Sequence, residues 1–351
     1  MNKLCVLCTL AAAFGMAASA FAANAGKGVQ VVADEAHRRV DVTIDGKAFT
    51  SYIWPTTLKK PVLYPIVTDE GVTETRGYPL DPRPGERVDH PHHAGLWFNF
   101  ENVNGFDFWN NSEAIKPENR AKMGTILHSR IVSTKSGANR GELVVESVWI
   151  TGADKQILSQ TTRYVFQRRN HARVIDLMIT LKALDRVVFK DEKDGLLGLR
   201  VAGWLESPDE KGGVFMDSSG HATKVDAAPA GATTATGVYL TSEGVKGGAA
   251  WGTRGRWCAL TGHTGDHTVT IAILDQPKNP GYPTYWHARG YGLYAANPLG
   301  PSIFDPKQPA LNLTLEKGQS ATFCYRVVLD SYAANSDELN KEAGAFAAES
   351  K

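Results

Sequence analysis

The feature that most restricts this chain is a series of segments in which apolar and polar residues alternate with a period of two, separated by short polar turns. Val40, Val42 and Ile44 alternate with Asp41 and Thr43. Asp45-Gly46 follows, and alternation resumes over residues 48–52. Asp-Gly between two such runs is the strongest short-range hairpin signal, because the tight turn needs positive φ at both central residues. Longer segments repeat the pattern. Residues 125–132 lead to a turn around 137–141, residues 143–150 to Gly152-Ala153-Asp154, and residues 157–166 to Arg168-Arg169-Asn170. Residues 174–181 close the set, with Ile175, Leu177, Ile179 and Leu181 on one face. Long strands joined by short turns predict a mostly β protein, a large antiparallel sheet folded into a sandwich. Further strands are expected at 249–251, 257–261, 268–274 and 321–329. Residues 222–237, rich in Ala, Thr and Gly, read as a surface loop. Helix is scarce. Asn335 can cap a terminal helix, with Glu338 three residues later leading into residues 339–348.

The N-terminus predicts export. Lys3 is the only charge before a mostly apolar stretch over residues 4–22, which ends in Ala20-Phe21-Ala22. A charged start, an apolar run and a small-x-small end form the order of a cleaved signal peptide. Thr9, Gly15 and Ser19 dilute the run below what a spanning helix of about 20 apolar residues needs. Three regions are therefore expected: a leader over 1–22, one sandwich domain over 23–334, and a helical tail over 335–351. The expected location is periplasmic or secreted. Lys and Arg total 38 against 37 Asp and Glu, a formal net charge of +1. That balance speaks against nucleic acid or an anionic membrane as the main partner. No later segment has the length and apolarity of a membrane span. After the leader only Cys258 and Cys324 remain, each in a strand-like stretch. Export permits a disulfide, and burial of two free thiols is the alternative.

The chemistry concentrates in two places. One is Asp89-His90-Pro91-His92-His93, followed by Trp97, Asn99 and Trp109. The other is Tyr285-Trp286-His287-Ala288-Arg289-Gly290-Tyr291, ending at Asn297. Imidazoles titrate near neutral pH and move protons. Indole rings stack on the apolar faces of sugar rings, and Asn and Arg give directional hydrogen bonds. In an extended backbone His90 and His92 would share a face, with His93 opposite. Three readings stay open. His90, His92 and His287 could ligate a divalent metal. One or two of the histidines could work as metal-free acid and base. Or they could satisfy backbone groups around a rigid Pro91 turn. The start of a strand at 197–201 could aim Asp191 or Lys193, in the charged run over 190–194, at the site, where a carboxylate could assist the histidines. The candidate catalytic set is His90, His92, His93, His287 and Asp191. The candidate substrate-binding set is Arg76, Trp97, Asn99, Trp109, Arg289, Tyr291 and Asn297.

At these residues the chain resembles the bacterial proteins labelled PmoA-like, or methane oxygenase PmoA, a domain of unknown function. The resemblance runs through Lys60-Pro61-Val62-Leu63-Tyr64-Pro65, Thr75-Arg76-Gly77-Tyr78-Pro79, Asp89-His90-Pro91-His92-His93-Ala94-Gly95-Leu96-Trp97, Asn104-Gly105-Phe106-Asp107-Phe108-Trp109, residues 191–200 and residues 285–298. It departs at Ala94, where members often carry Arg, and at Gly290, where an acidic residue is common. The resemblance implies a galactose-mutarotase-like supersandwich and a sugar or oligosaccharide ligand. The implied function is carbohydrate-active: acid/base or metal-assisted epimerisation, elimination or hydrolysis of a sugar or keto-sugar derivative. A non-catalytic carbohydrate-binding module and a metal-dependent oxidoreductase are the alternatives.

Overall fold

The computed structural model describes residues 26–169, 171–208, 212–226 and 234–349. The leader expected over residues 1–22 lies outside the described residues. The protein is mostly β, built on two eight-stranded antiparallel sheets. The first has the order Val29–Asp34, Arg39–Ile44, Lys47–Ile53, Val62–Ile66, Leu96–Phe100, Gly195–Arg200, Leu293–Asn297 and Tyr285–Ala288. The second runs Val238–Thr241, Trp257–Thr264, His267–Asp275, Ser320–Asp330, Ala172–Ala183, Gln156–Arg168, Arg140–Thr151 and Gly124–Lys135. The expected hairpin forms across Asp45 and Gly46, whose φ values are 50° and 77°. The long meander forms as read, and Ile175, Leu177, Ile179 and Leu181 all point into the core.

Alternation decides what fills the space between the sheets. Leu63, Leu96, Phe98, Phe100, Leu197 and Leu199 face inward from the first sheet. The inward set of Ala172–Ala183 meets them, together with Phe323, Tyr325 and Val327. Removing this apolar area from water, at roughly 25 cal/mol per Å2, is the main force holding the sheets together. A second apolar layer lies on the outer face of the second sheet, where the terminal helix Ser336–Ala348 lays Leu339, Ala343 and Phe346 against Val174 and Trp257. The Asn335 side chain accepts from the backbone N–H of Asp337 and Glu338, as a capping residue should.

Two expectations change, and of the two readings left open for the cysteines the buried thiols hold. Residues 247–250 form a 3-10 turn, Gly247–Ala250, where a strand was expected over 249–251. Ala222–Val225 is a strand paired with Gly213–Met216, so its surface run of small and β-branched residues is not all loop. Cys258 and Cys324 are both free and buried. They face opposite sides of the same sheet, Cys258 into the central core and Cys324 under the terminal helix, so they cannot bond.

Candidate functional site

The site occupies the outer face of the first sheet. Residues directly opposite in an antiparallel pair share a face. Trp97 opposes Gly198, Gly198 opposes Ala295, and Ala295 opposes His287. This single row crosses four strands, about 14 Å at the usual strand spacing. The same parity brings Asn99, Arg200, Leu293 and Asn297, and Arg289 to this face. Val62, Trp97, Trp109, Leu293 and Ala295 form its apolar floor, with Tyr291 packed against them. Gly198 is required here: a Cβ would stand 2.5 Å from Cζ2 of Trp97 and 2.9 Å from Cη2 of Trp109. The missing side chain lets the Trp97 indole lie over the strand.

The segment 89–93 folds over one end of this face as a turn. His90 has a φ of 42°, and His93 N–H donates to the His90 carbonyl at 2.9 Å. The backbone is therefore not extended, and the expected split of faces is replaced by a stack. Tyr291, His90, His93 and Trp97 lie ring on ring, with centroid separations of 5.2, 4.9 and 5.3 Å. His92 meets His93 edge-on at 4.2 Å.

Buried charge holds the turn. Arg76 donates to Asp89 Oδ1 at 2.5 Å and to the carbonyls of His90 and His93 at 3.0 Å each. Arg200 donates to the same Asp89 oxygen at 2.7 Å. Behind them Arg87 donates to Glu206 at 2.9 Å. Burial works to raise the Asp89 carboxyl. Its contact with His90 and the charges of Arg200 and Arg76 outweigh burial and hold it well below the usual carboxylate range. Burial raises Glu206 to about 7, against the pull of Arg200 and Arg87. Lys60 reaches in from the bend before the strand Val62–Ile66 and donates to the His92 carbonyl at 2.6 Å, with Nζ 5.1 Å from the Trp97 ring. Burial brings its ammonium down to about 7, with Asp107 opposing.

The imidazoles of His92, His93 and His287 are neutral at pH 7. Burial takes His93 well below its ordinary value and His92 to about 2, with Lys60 adding to the latter. His287 falls to about 4 through burial, against which Asp194 pulls upward. Arg289 Nε donates to His287 Nε2 at 3.0 Å, so the His287 proton belongs on Nδ1. That nitrogen lies 3.4 Å from Asp194 Oδ1 but makes no hydrogen bond, so the contact is electrostatic only. Glu101 lies two residues past Asn99, and its N–H donates to the Asp194 carbonyl at 2.9 Å, which sets the two residues side by side. Burial and the neighbouring Asp194 raise the Glu101 carboxyl to about 8, and one of its oxygens is buried without a partner.

Several expected roles do not fit these positions. Trp97 is covered by His93 on one side and rests on the Gly198 backbone on the other, and Trp109 is 1% exposed, so neither indole has a free face for a sugar. Asn99 spends its amide on Trp97 Nε1 and the Phe108 carbonyl. Asn297 spends its own on the carbonyls of Glu192 and Lys193 and the Leu299 N–H. Arg76 is a fully buried brace. Asp191 accepts from the backbone of Ser302, Leu311 and Asn312 and from the Ser302 hydroxyl, which makes it a loop anchor. His90, His92 and His287 do not form a ligand set, because the turn aims His90 at Tyr291 while His287 is engaged by Arg289. Among the described residues no group of three or more His, Cys, Asp or Glu is arranged to hold a metal ion. His92, His93, His287, Arg289 and Tyr291 do share the face. Lys60, Glu101, Asp107, Asp194, Arg200 and Glu206 join them without having been singled out. A cavity of about 280 Å3 lies elsewhere, beneath the terminal helix. Its charged groups are paired with one another, His171 with Asp330 and Arg169 with Glu342.

Fold and site together define a two-sheet antiparallel sandwich carrying a buried histidine, arginine and carboxylate cluster on the outer face of one sheet. The chain belongs to a family of unknown function (DUF6807), whose model matches residues 39–344. That match carries no methane-oxygenase description. No curated protein matches the chain. Among solved structures it is similar to galactose 1-epimerase from Lactobacillus acidophilus NCFM, at 9% identity over 88% of this chain and 100% of that one, with a TM-score of 0.40. It is similar to a putative aldose 1-epimerase from Escherichia coli K12, at 10% identity, 88% and 100% coverage, and a TM-score of 0.36. A GH36 α-galactosidase from Geobacillus stearothermophilus aligns at 11% identity and a TM-score of 0.35 over 88% of this chain, which spans 41% of that larger protein. No helix among the described residues is long and apolar enough to cross a membrane.

Proposed function

We propose that the protein is an exported carbohydrate-active enzyme that moves protons on a sugar or keto-sugar derivative, in an epimerisation, an elimination or a hydrolysis. The observation that carries this reading is a proton donor and a proton acceptor on one sheet face, with their titrations pushed apart. Glu101 is raised to about 8 and holds a proton at pH 7, while His92 is lowered to about 2 and is an unprotonated base; His287, lowered to about 4, has its lone pair taken by Arg289. Opposed shifts of this kind mark acid and base roles. An imidazole takes a proton from a substrate C–H or O–H. The Glu101 carboxyl gives one to the oxygen that gains electron density. The resulting imidazolium and carboxylate return to their starting states by exchange with water.

The ring of His90, partly exposed and stacked on Tyr291 at the mouth, suits the mixed polar and apolar surface of a sugar. The leader-like residues 1–22 support export.

Proton NMR of the full chain with a panel of aldoses, ketoses and keto-sugars tests the proposal. New anomeric, exchanged or vinyl signals should appear with the wild type. They should be lost at least about 100-fold in His92→Ala and in Glu101→Gln, while both variants still unfold cooperatively. Unchanged sugars with the wild type, or full turnover in both variants, would overturn it.

A further inference from the structure

Beyond His287 the site face continues into a strip of aromatic rings and arginines that the acid/base chemistry does not use. Trp251 is 38% exposed, unusual for so large an apolar ring. It is nonetheless fixed to the sheet edge: Gly252 N–H donates to the Trp286 carbonyl, and Trp286 N–H to the Thr253 carbonyl, both at 2.9 Å. The Trp251 ring meets Phe304 at 5.9 Å, and Phe304 stacks on Tyr285 at 5.1 Å. The Arg289 guanidinium lies 4.9 Å over the Trp251 ring, and that of Arg254 lies 5.0 Å over Tyr285.

Neither arginine has a carboxylate within ion-pair distance among the described residues. Arg254 spends its N–H groups on the carbonyls of Gly281, Tyr282 and Pro283. Arg289 spends only Nε, on His287. Its two terminal nitrogens are uncommitted, and the indole below and the bond to His287 fix the plane of the fork. A planar guanidinium held this way matches a carboxylate with two parallel hydrogen bonds. An indole beside it offers the flat apolar surface that the C–H face of a sugar ring covers. The whole chain carries a formal charge of only +1, so attraction for an anion here is a property of the strip.

We propose that the substrate is a carboxylated sugar, a uronic type of unit, whose carboxylate is taken by Arg289 and whose ring lies against Trp251. This rests on the function proposed above and narrows its substrate class.

Calorimetric titration of the full chain with two matched pairs tests it: glucuronate against glucose, and galacturonate against galactose. In wild type the acidic member of at least one pair should bind about tenfold more tightly, and the preference should shrink as salt is raised. Arg289→Gln should erase the preference while leaving the neutral sugar within about twofold. Arg289→Lys, read alongside in case the glutamine variant folds poorly, should keep part of it. Trp251→Ala should weaken both members and retain the preference. Equal affinities in wild type would overturn this inference and leave the sugar reading standing. An equal loss for both members in Arg289→Gln would also overturn it, by marking Arg289 as structural. No binding of any of the four sugars would overturn both.

Discussion

Asp89→Asn tests how the histidine turn is held. The side chains of Arg76 and Arg200 are both 0% exposed, and both donate to a single Asp89 oxygen. The amide keeps the shape and an acceptor oxygen but removes the charge. Among the described residues Arg76 then has no carboxylate within ion-pair distance, and Arg200 keeps only Glu206, at 3.7 Å. Breaking a buried pair by removing one partner costs about 3–5 kcal/mol. The retained acceptor puts this variant at the lower end, about 3 kcal/mol. With an unfolding entropy of about 2.1 cal/mol/K per residue, a chain of 351 residues loses roughly 1.4 °C per kcal/mol, so Tm should fall by about 4 °C at pH 7. The pH dependence adds a second signature. Asp89 is held below the ordinary carboxylate value in the fold, so its stabilisation is complete above the unfolded value of about 3.9 and is lost as pH falls further. The gap between wild type and variant should therefore close progressively below about pH 3.9. Calorimetric melts of both proteins from pH 7 to pH 3 measure it. A Tm drop under about 1 °C at pH 7, or a gap that stays constant into acid, would refute the reasoning.

Other outcomes follow from the same geometry. Gly198→Ala should destabilise by about 1–3 kcal/mol and disturb the near-ultraviolet circular dichroism of the tryptophans, because its Cβ would meet Trp97 and Trp109; an unchanged melt and spectrum would mean that Trp97 is loosely held. Burial and Asp194 raise Glu101 to about 8, so turnover that uses its proton should fall as pH rises through about 8. Because that raised carboxyl stays protonated in the fold, wild type should lose stability above the unfolded value of about 4.3, and Glu101→Gln should gain in Tm relative to wild type between pH 5 and 8. Neither Cys258 nor Cys324 should react with a thiol reagent in the native protein and both should react in denaturant, while reductant leaves Tm unchanged. A missing thiol in denaturant would instead reveal a disulfide.

Period-two alternation exposed the sandwich because both its sheets are antiparallel and each buries one face of most strands. It misread 249–251 because Gly247 and Gly248 allow a tight turn that no alternation in so short a stretch can oppose. It passed over 222–225 because that strand lies in a two-stranded ribbon with all four residues exposed, where no buried face writes a pattern into the sequence. The histidine turn was visible as a cluster, but its shape was not. A positive φ at His90 and the bracing by Arg76 and Arg200 depend on contacts between segments far apart in the chain.

The site residues themselves show what alternation can and cannot select. Asp191 and Asp194 belong to one charged run and differ by three positions, so they cannot both lie on the face of Gly198 and Arg200. Asp194, whose carbonyl accepts from the Glu101 N–H, is the carboxylate beside His287, and Asp191 anchors a loop. Counting forward from Trp97 selects Asn99 and then Glu101. Parity finds the face, but it is blind to whether a polar atom is already spent. Asn99 sits on the correct face and is exhausted by Trp97 and Phe108, whereas Glu101, two residues on, keeps a buried oxygen without a partner. The residues able to act on a substrate are those that share the face and still have bonding capacity left, and only the second condition requires the folded structure.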